Sequence, residues 1–151
     1  DPLANTDDST CCGAGFSLPP FGTQIGLDID GVAAGDYAGY AVSISSDGNI
    51  MAVGAPDNDA NGSSAGHVRI YENVGGTWSQ IGQDINGEAA GDQSGVYTSI
   101  SSDGSIVAIG ANLNDGNGAN SGHVRIYTFN GTSWVQLGQD IDGEAAGDRG
   151  G

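Results

Sequence analysis

The chain has 151 residues, 28 of them Gly, and sets 19 carboxylates against three cations, Arg69, Arg125 and Arg149, for a net charge of −16. So acidic a surface repels nucleic acid and anionic headgroups and attracts divalent cations and basic proteins, so no nucleic acid is expected as a direct partner. No apolar run reaches the ~20 residues of a membrane-spanning helix, so direct membrane insertion is not expected, and the short regular apolar runs argue against disorder.

Residues 1–23 form a non-repeated N-terminal segment. It holds the only two cysteines, Cys11 and Cys12, side by side. Adjacent cysteines bridge each other only with strain. That leaves a disulfide to another chain, an unusual vicinal disulfide, or free thiols. The chain starts at Asp1 rather than Met and stops partway through a repeat, which is expected of a processed chain or a piece of a longer one.

From Gln24 the sequence repeats with a period of 56 residues. Repeat 1 spans 24–79 and repeat 2 spans 80–135, with 33 of 56 positions identical and no gap. Residues 136–151 are a truncated start of repeat 3, matching the second copy at 12 of 16 positions. A tandem unit of this size is one supersecondary module that buries its apolar faces against its neighbours.

The predicted elements follow in order. Residues 23–29 correspond to the last strand of a module and read as a spare outer strand. In the first copy, 40–45 is a strand of mixed polarity and a Ser-Ser-Asp-Gly turn follows. Residues 50–55 are continuously apolar, as in a strand covered on both faces. A long loop precedes a strand at 67–73, and 78–85 is the fourth. The second copy repeats the plan at 96–101, 106–111, 123–129 and 134–141. In its third strand Val124 and Ile126 share one face, and Arg125 and Tyr127 the other. The reading is an all-β chain: two four-stranded antiparallel propeller-type blades plus the spare outer strand, a partial propeller.

The loop between second and third strands is the best candidate for a metal. The first copy offers Asp57, Asn58, Asp59 and Asn61, and the second Asn114, Asp115 and Asn117, each set ending in Gly. Alternating oxygen-bearing side chains are how calcium gathers its six to eight ligands, though the same residues also build ion-free Asx turns. Leu113 in place of Asp57 makes the second loop the poorer one. His67 and His123 open equivalent strands and are expected to be satisfied by a loop carbonyl. Arg69 and Arg125 are expected in paired structural roles with a carboxylate of the Gly-Asp lead-in, and Trp78 and Trp134 in packing between blades. Asn61 and Asn130 head Asn-x-Ser/Thr triplets, the acceptor pattern for glycosylation. No Ser/His/Asp or Cys/His grouping distinguishes one copy, so the chain is not expected to be an enzyme.

The module resembles the FG-GAP repeat, the blade of integrin-alpha-type β-propellers. The resemblance is carried by the lead-ins Gly35-Asp36…Gly39 and Gly91-Asp92…Gly95, by Gly54-Ala55-Pro56 ending an apolar strand, and by Gly-His-Val-Arg-Ile-Tyr followed by Gly and Trp. Departures are Ala38-Gly39 and Ser94-Gly95 for the Phe-Gly pair, Gly-Ala-Asn in the second copy, and a calcium loop reduced to Ser-Ser-Asp-Gly. The resemblance implies a non-enzymatic, extracytoplasmic structural or protein-binding module, with calcium as the one cofactor. Two blades leave sheet flanks uncovered, so a protein partner or self-association is expected. Two other readings stand beside it. One is an accessory subunit docked through its N-terminal segment on a larger, membrane-associated assembly. The other is a fragment of a larger propeller enzyme or adhesin.

Overall fold

The computed structural model describes residues 22–151, so the expectations for Cys11 and Cys12 lie outside the described residues. The described residues hold ten strands and no helix: β1 (Ala41–Ile44), β2 (Ile50–Ala55), β3 (His67–Val74), β4 (Thr77–Gln80), β5 (Ile85–Asn86), β6 (Tyr97–Ile100), β7 (Ile106–Ala111), β8 (His123–Phe129), β9 (Trp134–Gln136) and β10 (Ile141–Asp142). They form two antiparallel sheets. The first runs β1-β2-β3, with β4 and β5 both paired to β3; the second runs β6-β7-β8, with β9 and β10 both paired to β8. Each sheet is thus four-stranded with its outer strand broken in two, and the pair does not close into a ring.

The break corrects the expectation of continuous fourth strands at 78–85 and 134–141. Gly82 and Gly138 sit at positive φ, 72° and 82°, which no ladder residue adopts. Across the gap, Gln80 Nε2 donates to Asp84 Oδ1 at 2.7 Å, and Gln136 Nε2 to Asp140 Oδ1 at 2.6 Å. The spare outer strand is corrected too: residues 23–29 carry no strand. The described residues offer them no third strand of their own to pair with. They keep the local fold of the equivalent segments instead, with Gly26 at φ 79° and Gln24 Nε2 donating to Asp28 Oδ1 at 2.8 Å.

The tight β1–β2 and β6–β7 turns are fixed by aspartate. Asp103 accepts from Ser101 Oγ at 2.6 Å and from the Ser105 amide at 3.1 Å, which holds its carboxyl down at about 2. Asp47 does the same between Ser45 and Asn49, and its pKa is likewise lowered.

The core lies between the two sheets. Ala52, Val68, Ile70 and Ile85 of the first blade meet Val107, Ile109, Tyr127 and Trp134 of the second. Strand alternation explains the asymmetry that results. In β3, Val68 and Ile70 are buried while Arg69 and Tyr71 are half-buried; in β8, Arg125 and Tyr127 are buried while Val124 and Ile126 are half-buried. One blade's Val/Ile face packs on the next blade's Arg/Tyr face. The close approach is set by glycine: a Cβ on Gly54 would collide with the backbone of Gly95, where the second blade's inner strand is entered.

Candidate functional site

The long loops and the blade-to-blade connections gather at one end of the sheets, where the residues with chemistry meet. Three acidic or imidazole groups converge there: Glu88 from the connection after β5, His123 from the start of β8, and Asp140 from the break between β9 and β10. His123 is 1% exposed, and neither ring nitrogen has a hydrogen-bond partner. Its Nδ1 lies 3.6 Å from Asp140 Oδ2 and 4.0 Å from Glu88 Oε2, both too long for hydrogen bonds. The expected loop carbonyl is therefore absent, which corrects the sequence reading of this histidine.

The second oxygen of each carboxylate is already held. Gln136 Nε2 donates to Asp140 Oδ1, and Arg125 Nη1 lies 3.6 Å from Glu88 Oε1. Arg125 itself is buried under the first blade. Its Nη2 donates to the Asn86 carbonyl at 2.8 Å, and its guanidinium lies 5.7 Å from the Tyr127 ring centre. An open acidic groove of about 600 Å³, lined by Glu88, Gln136, Asp140 and Asp142 among others, leads from solvent to the cluster.

The same positions in the first blade are arranged differently. Arg69 makes a two-pronged bond to Asp84, Nε to Oδ1 at 2.9 Å and Nη2 to Oδ2 at 2.7 Å. This ion pair holds the Asp84 carboxyl below its usual range and raises the Arg69 pKa. His67 Nδ1 is left 4.0 Å from Asp84 Oδ2 without a hydrogen bond, and burial lowers the His67 pKa. Neither arginine takes the Gly-Asp lead-in as partner. Asp36 Oδ2 accepts from Asn58 Nδ2 at 2.7 Å, and Asp92 Oδ2 from Asn114 Nδ2 at 2.9 Å, so the lead-in aspartates anchor the long loops instead.

The loop residues singled out from sequence hold the chain to itself. Asn58 Oδ1 accepts from the Ala60 amide at 3.0 Å, and Asn114 Oδ1 from the Gly116 amide at 2.8 Å. Asp59 Oδ1 accepts from the Ser64 amide at 2.8 Å, and Asp115 Oδ1 from the Asn120 amide at 2.7 Å. Asp57 Oδ1 accepts from Gln93 Nε2 at 3.0 Å across the blade junction. Asn61 Nδ2 donates to the Gly87 and Glu88 carbonyls, and Asn117 Nδ2 to the Gly143 and Glu144 carbonyls. These are Asx turns and clamps onto the next connection. The other carboxylate oxygens of Asp57 and Asp59 accept no hydrogen bond among the described residues.

The clamp also separates the two glycosylation triplets. Asn61 has its amide nitrogen engaged, whereas the exposed Asn130 uses only Oδ1, accepting from the Thr132 and Ser133 amides. The tryptophans sit between outer segments. Trp134 Nε1 donates to the Ile81 carbonyl at 3.1 Å over Gly82, with the Phe129 ring 5.1 Å away; Trp78 Nε1 donates to the Ile25 carbonyl at 3.0 Å over Gly26.

Sequence reasoning missed Glu88, Asp84 and Asp140. The signal for Glu88 was a difference between copies, because position 32 in the first copy is Val where the second has Glu88 and the third Glu144.

The family profile described as the FG-GAP repeat matches residues 21–71, from the segment before the first blade into β3. That stretch is an FG-GAP-type repeat, and the two open antiparallel sheets have the build of partial propeller blades. No curated protein matches the chain.

Proposed function

We propose that this chain is a non-enzymatic, protein-binding β-propeller module of the extracytoplasmic side, which docks a partner protein or a further copy of itself on the flanks its two blades leave bare. One observation carries the reading. Each blade buries its side toward the other, while the outward sides stay apolar: Val42 and Ile44 along β1 are exposed, and Val124 and Ile126 of β8 are only half-covered. Beside β1, Tyr37, Tyr40, Pro56, Asp57, Gln93 and Val96 line a cleft of about 220 Å³. Uncovered apolar strips of this kind favour a partner at roughly 25 cal/mol per Å² buried. The net charge of −16 favours one with a basic rim. Among the described residues no helix is long and apolar enough to cross a membrane. The extracytoplasmic placement rests on the FG-GAP resemblance.

Sedimentation of the 151-residue chain tests the reading. Association that is lost in Val42→Glu with Ile44→Glu, at unchanged circular dichroism, is the expected result. A parent chain that stays monomeric and unfolds cooperatively would overturn self-association and count against the bare flanks as docking surfaces.

Calcium dependence is the finer part of the proposal. It is supported by the free carboxylate oxygens of Asp57 and Asp59, two residues apart on one loop. Millimolar calcium is expected to raise Tm. Asp59→Ala should remove most of that gain, and Asp115→Ala less of it. A Tm indifferent to calcium leaves the loop as a turn only.

A further inference from the structure

The junction between the blades carries a second kind of site. We propose that Glu88, His123 and Asp140 bind one divalent transition-metal ion of the zinc class, with water completing the coordination.

The donor set comes first. One imidazole nitrogen and two carboxylate oxygens suit zinc and its neighbours, whereas calcium takes oxygen ligands alone. The three donor atoms lie within 4.8 Å of one another. Ligand atoms around a tetrahedral zinc, at about 2.1 Å from the metal, sit about 3.4 Å apart. The 3.6 and 4.0 Å from His123 Nδ1 to the two carboxylates are close to that spacing. Small rotations of the half-exposed Glu88 bring the set together.

The second argument is the histidine. A ring buried to 1% exposure with both nitrogens unpartnered is a costly arrangement, and its Nδ1 is turned toward two carboxylates. A metal ion at that point gives Nδ1 its partner.

The surroundings supply the third. Each carboxylate has one oxygen facing the histidine and the other held from outside, Asp140 by Gln136 and Glu88 by Arg125. Outer contacts of this sort orient ligands and are part of a working site. With a neutral imidazole, two carboxylates and Arg125, a divalent ion brings the local charge from −1 to +1, which the acidic groove around it tolerates.

The first blade provides an internal control. His67 and Asp84 are equivalent to His123 and Asp140, but the position equivalent to Glu88 is Val32, which lines the same small cavity as His67 and Arg69. Without that carboxylate, Arg69 takes both oxygens of Asp84 and no site forms.

The test is a Zn²⁺ titration of the chelator-stripped 151-residue chain, read by calorimetry and by the ¹⁵N shifts of the two imidazole rings. One ion per chain is expected, with the His123 ring nitrogens shifting and those of His67 unmoved. Glu88→Gln, on an exposed side chain that folding does not need, should weaken binding at least about tenfold. His123→Gln should abolish it. Val32→Glu should add a second equivalent and bring His67 into the response. If zinc leaves the His123 ring unshifted, or if Glu88→Gln binds as tightly as the parent, the uptake belongs to scattered surface carboxylates and the proposal is overturned. Folding of each variant is checked by circular dichroism, and the Glu88→Gln result decides should His123→Gln fail to fold.

Discussion

The two blades share a sequence plan, yet Arg69 and Arg125 lead different lives. Arg125 is buried, reaches back across the junction to Glu88 and the Asn86 carbonyl, and leaves Asp140 free to face His123. Arg69 stays half-exposed and folds onto Asp84 of its own blade. The cause is one residue in the preceding connection, Glu88 in one case and Val32 in the other, together with the presence or absence of a blade on that side. A strand of this repeat is therefore finished by its neighbour: its Val/Ile side by the blade after it, and its Arg/Tyr side by the blade before it.

The comparison is broken most severely at the tryptophans. Trp134 is buried in the shared core, held by Ile81, Gly82 and Phe129, with Gln83 bonded to its backbone on both sides. Trp134→Ala is expected to cost about 3–5 kcal/mol, the range for emptying a buried aromatic site. Trp78 is only half-buried, against a segment that forms no strand, so Trp78→Ala should cost about half as much. Urea denaturation of both variants measures the two values. Equal losses would mean that the first blade is finished as completely as the second.

The arginines give the next effect. Removing the buried Arg125 side chain empties its place under the first blade and takes the 2.8 Å donor from the Asn86 carbonyl, while Glu88 can turn into water, so Arg125→Ala is expected to cost about 2 kcal/mol. Arg69→Ala breaks a half-exposed pair and should cost about 1 kcal/mol, falling further in high salt. An Arg69 variant as damaging as the Arg125 variant would show that the first blade's flank is covered in solution, which the proposed association with a partner would also produce.

Much of this was legible in the sequence, and the limits have physical causes. The apolar runs of β2 and β7 and the alternation in β3 and β8 mark strands whatever surrounds them, because burial on both faces or on one writes itself into local pattern. The broken outer strands were not legible, since Gln80-Ile81-Gly82 reads as strand until Gly82 takes positive φ to seat the Trp134 ring. The junction cluster was hidden for another reason. Glu88, His123 and Asp140 are far apart along the chain and meet only when one blade is laid on the next. The loops Asp57–Asn61 and Asn114–Asn117 look like cation ligands in sequence, but backbone amides of the same loops engage Asn58, Asp59, Asn114 and Asp115, and the carbonyls that engage Asn61 and Asn117 come from the following connection.

The smallest effect is the pH dependence of the first blade's flank, and it isolates the Arg69–Asp84 pair. The Arg69 bond depresses the Asp84 carboxyl below its ordinary 3.8. Its contribution, about 1 kcal/mol for a pair this exposed, is therefore complete above 3.8 and is lost as the pH falls through the lower folded value. His67 acts in a separate window. Burial lowers its pKa from 6.5, so folding prefers the neutral ring; that contribution is complete above 6.5 and declines as the pH drops toward the folded value. Stability measured by urea between pH 7 and pH 2 should thus fall in two steps. Asp84→Asn is expected to shrink the lower step, to which the depressed carboxyls of Asp47 and Asp103 also contribute, and to keep the upper one, whereas His67→Gln should erase the upper one. The Val32→Glu variant sharpens the result: by drawing Arg69 toward residue 32, as Glu88 draws Arg125, it should shrink the Asp84 step without removing either titrating group. A lower step unchanged by Val32→Glu would mean that the connecting residue does not choose the arginine's partner, and the difference between the blades would then rest on the neighbouring blade alone.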